Sequence, residues 1–223
     1  MGDAFMDSSQ QIEALNDTLS DCGLVAILRG VKPEEVERYA EVLAEGGIHL
    51  IEVPMNSPQP LNSIQKLAMR FGKQSLVGAG TVMSKQQIDE VSEVGGKLIV
   101  MPHTDETLIR YAISKDLIPI PGVATPSEAF KAINSGAYVL KLFPAEQVLA
   151  AGLKAWKAVI PPNIKILPVG GITPETMAPF MKAGAEGFGL GSRLYRPGIS
   201  LSEFSQNVDA FVSQWQKLSA QGS

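Results

Sequence analysis

Eight short apolar runs punctuate this chain, at 24–28, 50–54, 76–80, 98–102, 118–121, 139–143, 165–169 and 187–191. Each reads as a buried strand, and every gap between them is long enough for an amphipathic helix. In 33–46, for example, Val36, Ala40 and Leu43 fall at helical spacing. Such alternation commits a chain to a parallel sheet covered by helices. A second regularity narrows the choice. The strands starting at 50, 98, 139 and 187 follow one plan of helix end, glycine, strand. The intervals between them each hold two βα units, so these are the even members of an eightfold set. The expected fold is a (β/α)8 TIM barrel, with an open doubly wound sheet as the alternative. Residues 8–20 should add an extra N-terminal helix, and residues 1–7 are expected to be flexible. No linker divides 1–223, which reads as one domain.

Helix boundaries carry their own chemistry. Ser84 with Gln87, Thr125 with Glu128, and Ser200 with Glu203 have capping-box spacing, and Pro126 and Pro174 follow capping threonines. Helix ends are expected at Gly46-Gly47, Gly95-Gly96, Gly136 and Gly184.

Composition excludes several functions. At 45% apolar and 19% charged residues the chain builds a substantial core. A net charge of −4 leaves no broad basic surface for nucleic acid, so an anionic ligand must be held locally. Cys22 is the only cysteine, and His49 and His103 are the only histidines, so neither a metal nor another cofactor is expected. No stretch approaches the roughly 20 apolar residues of a membrane helix. The N-terminus is acidic and polar, unlike a secretory signal, so the expected location is cytoplasmic and the sequon at Asn16 reads as chance.

Lys141 is the conspicuous exception to the apolar pattern. It sits in Val-Leu-Lys-Leu-Phe at 139–143, where an unpaired ammonium is costly and tends to shed its proton. A neutral lysine is a nucleophile able to form a Schiff base with a carbonyl. The plainer readings are a strand-end lysine snorkelling to solvent or one half of an ion pair. Strand alternation places Val139, Lys141 and Phe143 inside, with Leu140 and Leu142 toward the helices. The same logic puts Leu50, Glu52 and Pro54 inside, opposite Ile51 and Val53. Glu52 is therefore a second polar anomaly on the same interior, either an acid–base partner of Lys141 or its structural counterion.

In a barrel, chemistry belongs at the C-terminal ends of the strands. Gly170-Gly171 follows the seventh strand and Gly191-Ser192 the eighth, the loops that frequently hold phosphate through backbone N–H groups. Tight turns alone would also explain them. Arg29, after the first strand, suits a carboxylate or phosphate, and Thr81, after the third, suits a substrate contact or a turn cap. His103 lies after the fourth strand, at the end suited to a substrate contact or a helix-start loop. His49 precedes the second strand and reads as structural.

Six segments together resemble one family. Ala-Ile-Leu-Arg-Gly (26–30), Ile-Glu-Val-Pro-Met-Asn-Ser-Pro-Gln (51–59), Val-Gly-Ala-Gly-Thr-Val (77–82), Leu-Lys-Leu-Phe-Pro (140–144), Pro-Val-Gly-Gly-Ile (168–172) and Gly-Leu-Gly-Ser (189–192) are similar to the 2-keto-3-deoxy-6-phosphogluconate / 6-phosphogalactonate aldolases. The resemblance spans about residues 24 to 215. It implies a class I aldolase on a (β/α)8 barrel, usually a homotrimer, with no cofactor. It also implies Lys141 as the Schiff-base residue, Glu52 as general acid/base, Arg29, Thr81 and Phe143 against the substrate, and Gly170, Gly171, Gly191 and Ser192 at the phosphate. The implied partners are a phosphorylated 2-keto-3-deoxy sugar acid, pyruvate and glyceraldehyde 3-phosphate. Asn56 and Val169 stand where the gluconate branch carries arginine and threonine, which implies the galactonate epimer. A metal-dependent aldolase, a phosphosugar isomerase and a phosphosugar-binding protein are the rival readings.

Overall fold

A computed structural model describes residues 8–221. The expectation of flexibility for residues 1–7 falls outside them. The chain runs α1 (Ser8–Asp21), β1 (Leu24–Ile27), α2 (Val36–Glu45), β2 (Leu50–Pro54), α3 (Pro60–Phe71), β3 (Leu76–Gly80), α4 (Lys85–Glu93), β4 (Leu98–Val100) and α5 (Glu106–Ser114). It continues through β5 (Ile118–Ile120), β6 (Gly122–Val123), α6 (Pro126–Asn134), β7 (Val139–Leu142), α7 (Ala145–Lys157), β8 (Lys165–Pro168), α8 (Pro174–Lys182), β9 (Phe188–Leu190) and α9 (Leu201–Ser219). Every predicted strand has its counterpart, and the extra N-terminal helix is α1.

All strand pairing is parallel. One sheet has the order β5-β4-β3-β2-β1-β9 and a second has β6-β7-β8. The expected unbroken set of eight strands is not observed: among the described residues nine strands fall into two sheets. The fifth expected strand is cut at Pro121, which has no N–H to give to a ladder. On one side of the proline Ile118 and Ile120 pair with β4; on the other Gly122 and Val123 pair with β7. The Pro121 carbonyl still accepts the Lys141 N–H at 2.9 Å, and a single bridge joins Val169 to Gly189 beyond β8.

Alternation along the strands sorts the core into two layers. Ile51, Val53, Leu140 and Leu142 pack outward with helix residues such as Leu43 and Ile64. Leu50, Leu98, Val139 and Leu167 pack together on the inner side with Leu15 and Leu19 of α1. Three of those four open their strands, so α1 seals the N-terminal end of the interior. Burying two leucines there contributes about 1.5–3 kcal/mol each. The opposite end is left for a ligand.

The caps behave largely as their spacing predicts. Thr125 Oγ1 accepts the Glu128 N–H while Glu128 takes the Thr125 N–H, a complete capping box. Ser84 and Ser200 cap with their hydroxyls, but Gln87 reaches back to the Met83 N–H and Glu203 pairs with Arg196. Thr125→Ala is expected to lower stability by about 1 kcal/mol in chemical denaturation, leaving the denaturant slope unchanged.

Candidate active site

Lys141 is 6% exposed, flanked in register by Gly122 on β6 and Leu167 on β8. Loss of hydration lowers its pKa from the ordinary lysine value, toward the neutral amine; Glu52 opposes the shift and Arg29 adds to it. Its Nζ stands over the Phe143 ring, 4.9 Å from the centroid. Glu52 is 2% exposed, and burial raises its carboxyl above the ordinary range against the pull of Lys141 and Arg29. The two line one narrow apolar void with Val25, Ile27 and Leu167. No ion pair within 4.0 Å joins them among the described residues, and Glu52 Oε2 has no hydrogen-bond partner there. Neither a snorkelling lysine nor a closed structural pair describes this arrangement.

Glu52 owes its place to Gly80. In register Glu52 lies beside Gly78 and Pro54 beside Gly80. A Cβ built on Gly80 would fall 1.2 Å from Glu52 Oε2, so the carboxylate occupies the volume a side chain would take. Sequence alternation placed Glu52 correctly inside but did not reveal its depth. It does not line the open cavity above Lys141.

That cavity has a volume of about 480 Å³, within the range of small-molecule sites. It brings together Arg29, Thr81, Lys141, Phe143, Gly170, Gly171, Gly191 and Ser192, every other site residue expected from the sequence. On one wall Arg29 donates from Nη1 to Asn56 Oδ1 at 2.6 Å and from Nη2 to Thr81 Oγ1 at 3.4 Å. Thr81 adopts φ 57°, a left-handed backbone that is uncommon for a β-branched residue and characteristic of constrained sites. On the other wall Gly170 (φ 108°) and Gly171 (φ 66°) turn the chain where other residues would be strained.

Two charged residues of the cavity escaped sequence reasoning, Glu146 and Arg193. Glu146 lies in the first turn of α7, directly after the Lys141 strand, and Arg193 follows Ser192 in the same loop. Those adjacencies were the available signals. His103 is exposed and does not line the cavity; His49 approaches Ser75 Oγ at 3.2 Å through Nδ1, beside the start of β2. Among the described residues no helix is long and apolar enough to cross a membrane, and no cluster of three or more His, Cys, Asp or Glu is arranged to hold a metal.

Known proteins share this architecture. The KDPG and KHG aldolase family model matches residues 15–210. The 2-dehydro-3-deoxy-6-phosphogalactonate aldolase of Escherichia coli (strain K12) is 40% identical over 87% of this chain and 95% of its own. A solved native KDPGal structure aligns with TM-score 0.87 at 40% identity, over 89% of this chain and 96% of that one. KDPG aldolase from Legionella pneumophila, solved with pyruvate captured at low pH as a covalent carbinolamine intermediate, aligns with TM-score 0.76 at 25% identity, over 90% and 96%. With a family match across nearly the whole length, this chain belongs to the KDPG and KHG aldolases, a family of lyases.

Proposed function

We propose that the protein is a Schiff-base aldolase cleaving 2-dehydro-3-deoxy-6-phosphogalactonate to pyruvate and D-glyceraldehyde 3-phosphate. The observation that carries this reading is Lys141: buried, shifted toward neutrality, and set at the floor of a cavity between a cationic wall and a glycine wall. The galactonate-named relative and the carbinolamine of the Legionella enzyme support the substrate and the amine chemistry respectively.

In the reaction Lys141 Nζ adds to the C2 carbonyl, and loss of water from the carbinolamine gives an iminium. Removal of the C4 hydroxyl proton breaks C3–C4: C4 becomes the aldehyde carbon of the departing glyceraldehyde 3-phosphate, and the bonding pair moves into the iminium to form an enamine. Protonation at C3 and hydrolysis release pyruvate and restore the amine. Glu52, its carboxyl raised by burial beside Lys141, gives a proton as the carbinolamine loses water; as the carboxylate it takes the C4 hydroxyl proton, directly or through a water, and returns it to C3. Arg29, oriented by Asn56 and Thr81, holds the substrate carboxylate. Phe143 packs beside the imine carbon, and Gly170, Gly171, Gly191 and Ser192 receive the phosphate.

The fold reading that fits this chemistry joins the two sheets as arcs of one (β/α)8 barrel. The Pro121 carbonyl and the Val169–Gly189 bridge supply the two junctions. One domain over 1–223, a cytoplasmic homotrimer and independence from cofactors complete the proposal, on the family resemblance.

Turnover of the two C4-epimeric substrates, measured side by side, tests the substrate. The galactonate epimer should have the higher kcat/KM, by roughly 10–200-fold, the range that small steric differences supply. The reverse ranking would assign the gluconate epimer. The acid limb of the kcat/KM profile should report protonation of Lys141: activity falls as pH drops through its pKa, and that limb should lie below the ordinary lysine value of 10.5. An acid limb at or above that value would contradict a desolvated amine.

A further inference from the structure

We infer that Arg193 is a specificity-determining residue, supplying the cation that holds the substrate phosphate. This inference rests on the aldolase reading above and extends it to a residue just beyond the last of the six resembling segments, within the matched residues 15–210.

Four charged side chains line the 480 Å³ cavity: Arg29, Lys141, Glu146 and Arg193. Arg29 is committed to the Asn56 and Thr81 wall, and Lys141 is buried at the floor. Glu146 stands at the glycine wall, where a Cβ on Gly171 would meet its Oε2 at 2.6 Å. A phosphate dianion seated on those glycines therefore meets neutral N–H donors and one carboxylate. That is a repulsive setting unless a cation joins it. The cation available is Arg193, directly after Gly191 and Ser192.

Arg193 is also free to act. It is exposed and, among the described residues, makes no hydrogen bond and no ion pair within 4.0 Å. Its electrostatic neighbour is Glu175, whose carboxyl is held down first by a hydrogen bond with Thr173 and only last by Arg193. Arg193 forms part of the ridge between the cavity and an adjoining polar groove of about 300 Å³. The Gly191 carbonyl accepts the N–H groups of both Leu194 and Tyr195, which folds this loop into a tight turn and fixes the base of the side chain. A guanidinium on such a rim matches phosphate oxygens bidentately without the burial cost of a core charge.

The test compares the phosphorylated substrate with its unphosphorylated analogue in the wild type, Arg193→Ala and Arg193→Lys. Arg193→Ala should lower the preference for the phosphorylated substrate, as a ratio of kcat/KM values, by about tenfold or more, the loss typical of one charge-assisted contact. Arg193→Lys should recover part of it. An unchanged ratio, or equal losses on both substrates, overturns the inference. Borohydride trapping with pyruvate, which carries no phosphate, separates the two levels. Wild-type protein that fails to trap pyruvate sinks the aldolase reading and this role with it. Trapping in all three proteins with an unchanged ratio sinks the role of Arg193 alone.

Discussion

Lys141→Ala is expected to eliminate pyruvate-dependent borohydride trapping and to lower turnover by about 10⁴-fold or more, since loss of a covalent nucleophile removes the route itself. Turnover near the wild-type level would show that no imine on Lys141 is needed, and a metal-independent acid–base enzyme such as an isomerase would become the better reading. A second variant separates chemistry from folding. Lys141→Met retains volume and removes the desolvated amine, so it should be inactive yet more stable than the parent, by about 1–2 kcal/mol. The sign follows from proton linkage. The folded-state pKa of Lys141 lies below its ordinary 10.5, so between those two values the unfolded chain binds more protons and wild-type stability rises with pH. Below that window both states are protonated and the whole cost of burying the cation is carried. The gain from Lys141→Met should therefore be largest below the folded-state pKa of Lys141 and shrink as pH rises from there toward 10.5. Loss of the Lys141 cation also removes the larger of the two charges that hold the Glu52 carboxyl down, so burial raises it further. A variant less stable than the parent on the acid side of that window would mean that the amine is not desolvated as its burial indicates.

The sorting of residues by face was legible in the sequence because it depends only on a period of two. Leu50 and Glu52 inside, Ile51 and Val53 outside, and the same division across β7 needed no knowledge of partner strands. The role of α1 was partly legible: its position was readable, but its function as a plug by Leu15 and Leu19 depends on strand ends distant in sequence. Depth was not legible. Glu52 lies beneath the cavity because Gly80, on the neighbouring strand, vacates the space, and periodicity within β2 contains no such information. The strand break at Pro121 was present as a residue, yet its effect required β4 and β7 on opposite sides of it. Arg29 finds Asn56 across 27 residues and Thr81 across 52, through side-chain reach that local pattern does not encode. Glu146 and Arg193 were missed for the same reason: both belong to segments whose side chains are sorted by tertiary packing.

Gly80→Ala should cripple the enzyme nearly as severely as removing Glu52 itself. The backbone at Gly80 is not in the left-handed region, so alanine is conformationally acceptable and space alone forbids it. Its Cβ would lie 1.2 Å from Glu52 Oε2 and 2.4 Å from Cδ, so the carboxylate must leave its place beside Lys141. Glu52→Ala is expected to cost about 10²–10⁴ in kcat, the usual range for general acid–base assistance. Gly80→Ala should fall within the same range and should also lose stability, since the displaced group is forced into a packed interior. The double variant discriminates between a local clash and a diffuse disturbance of β3. With the carboxylate already removed, the alanine fills a vacant volume, so Gly80→Ala/Glu52→Ala should be more stable than Gly80→Ala and no slower than Glu52→Ala, a strong non-additivity between touching residues. Additive effects in that cycle would place the carboxylate elsewhere, and the acid–base role drawn from its position beside Lys141 would lose its structural basis.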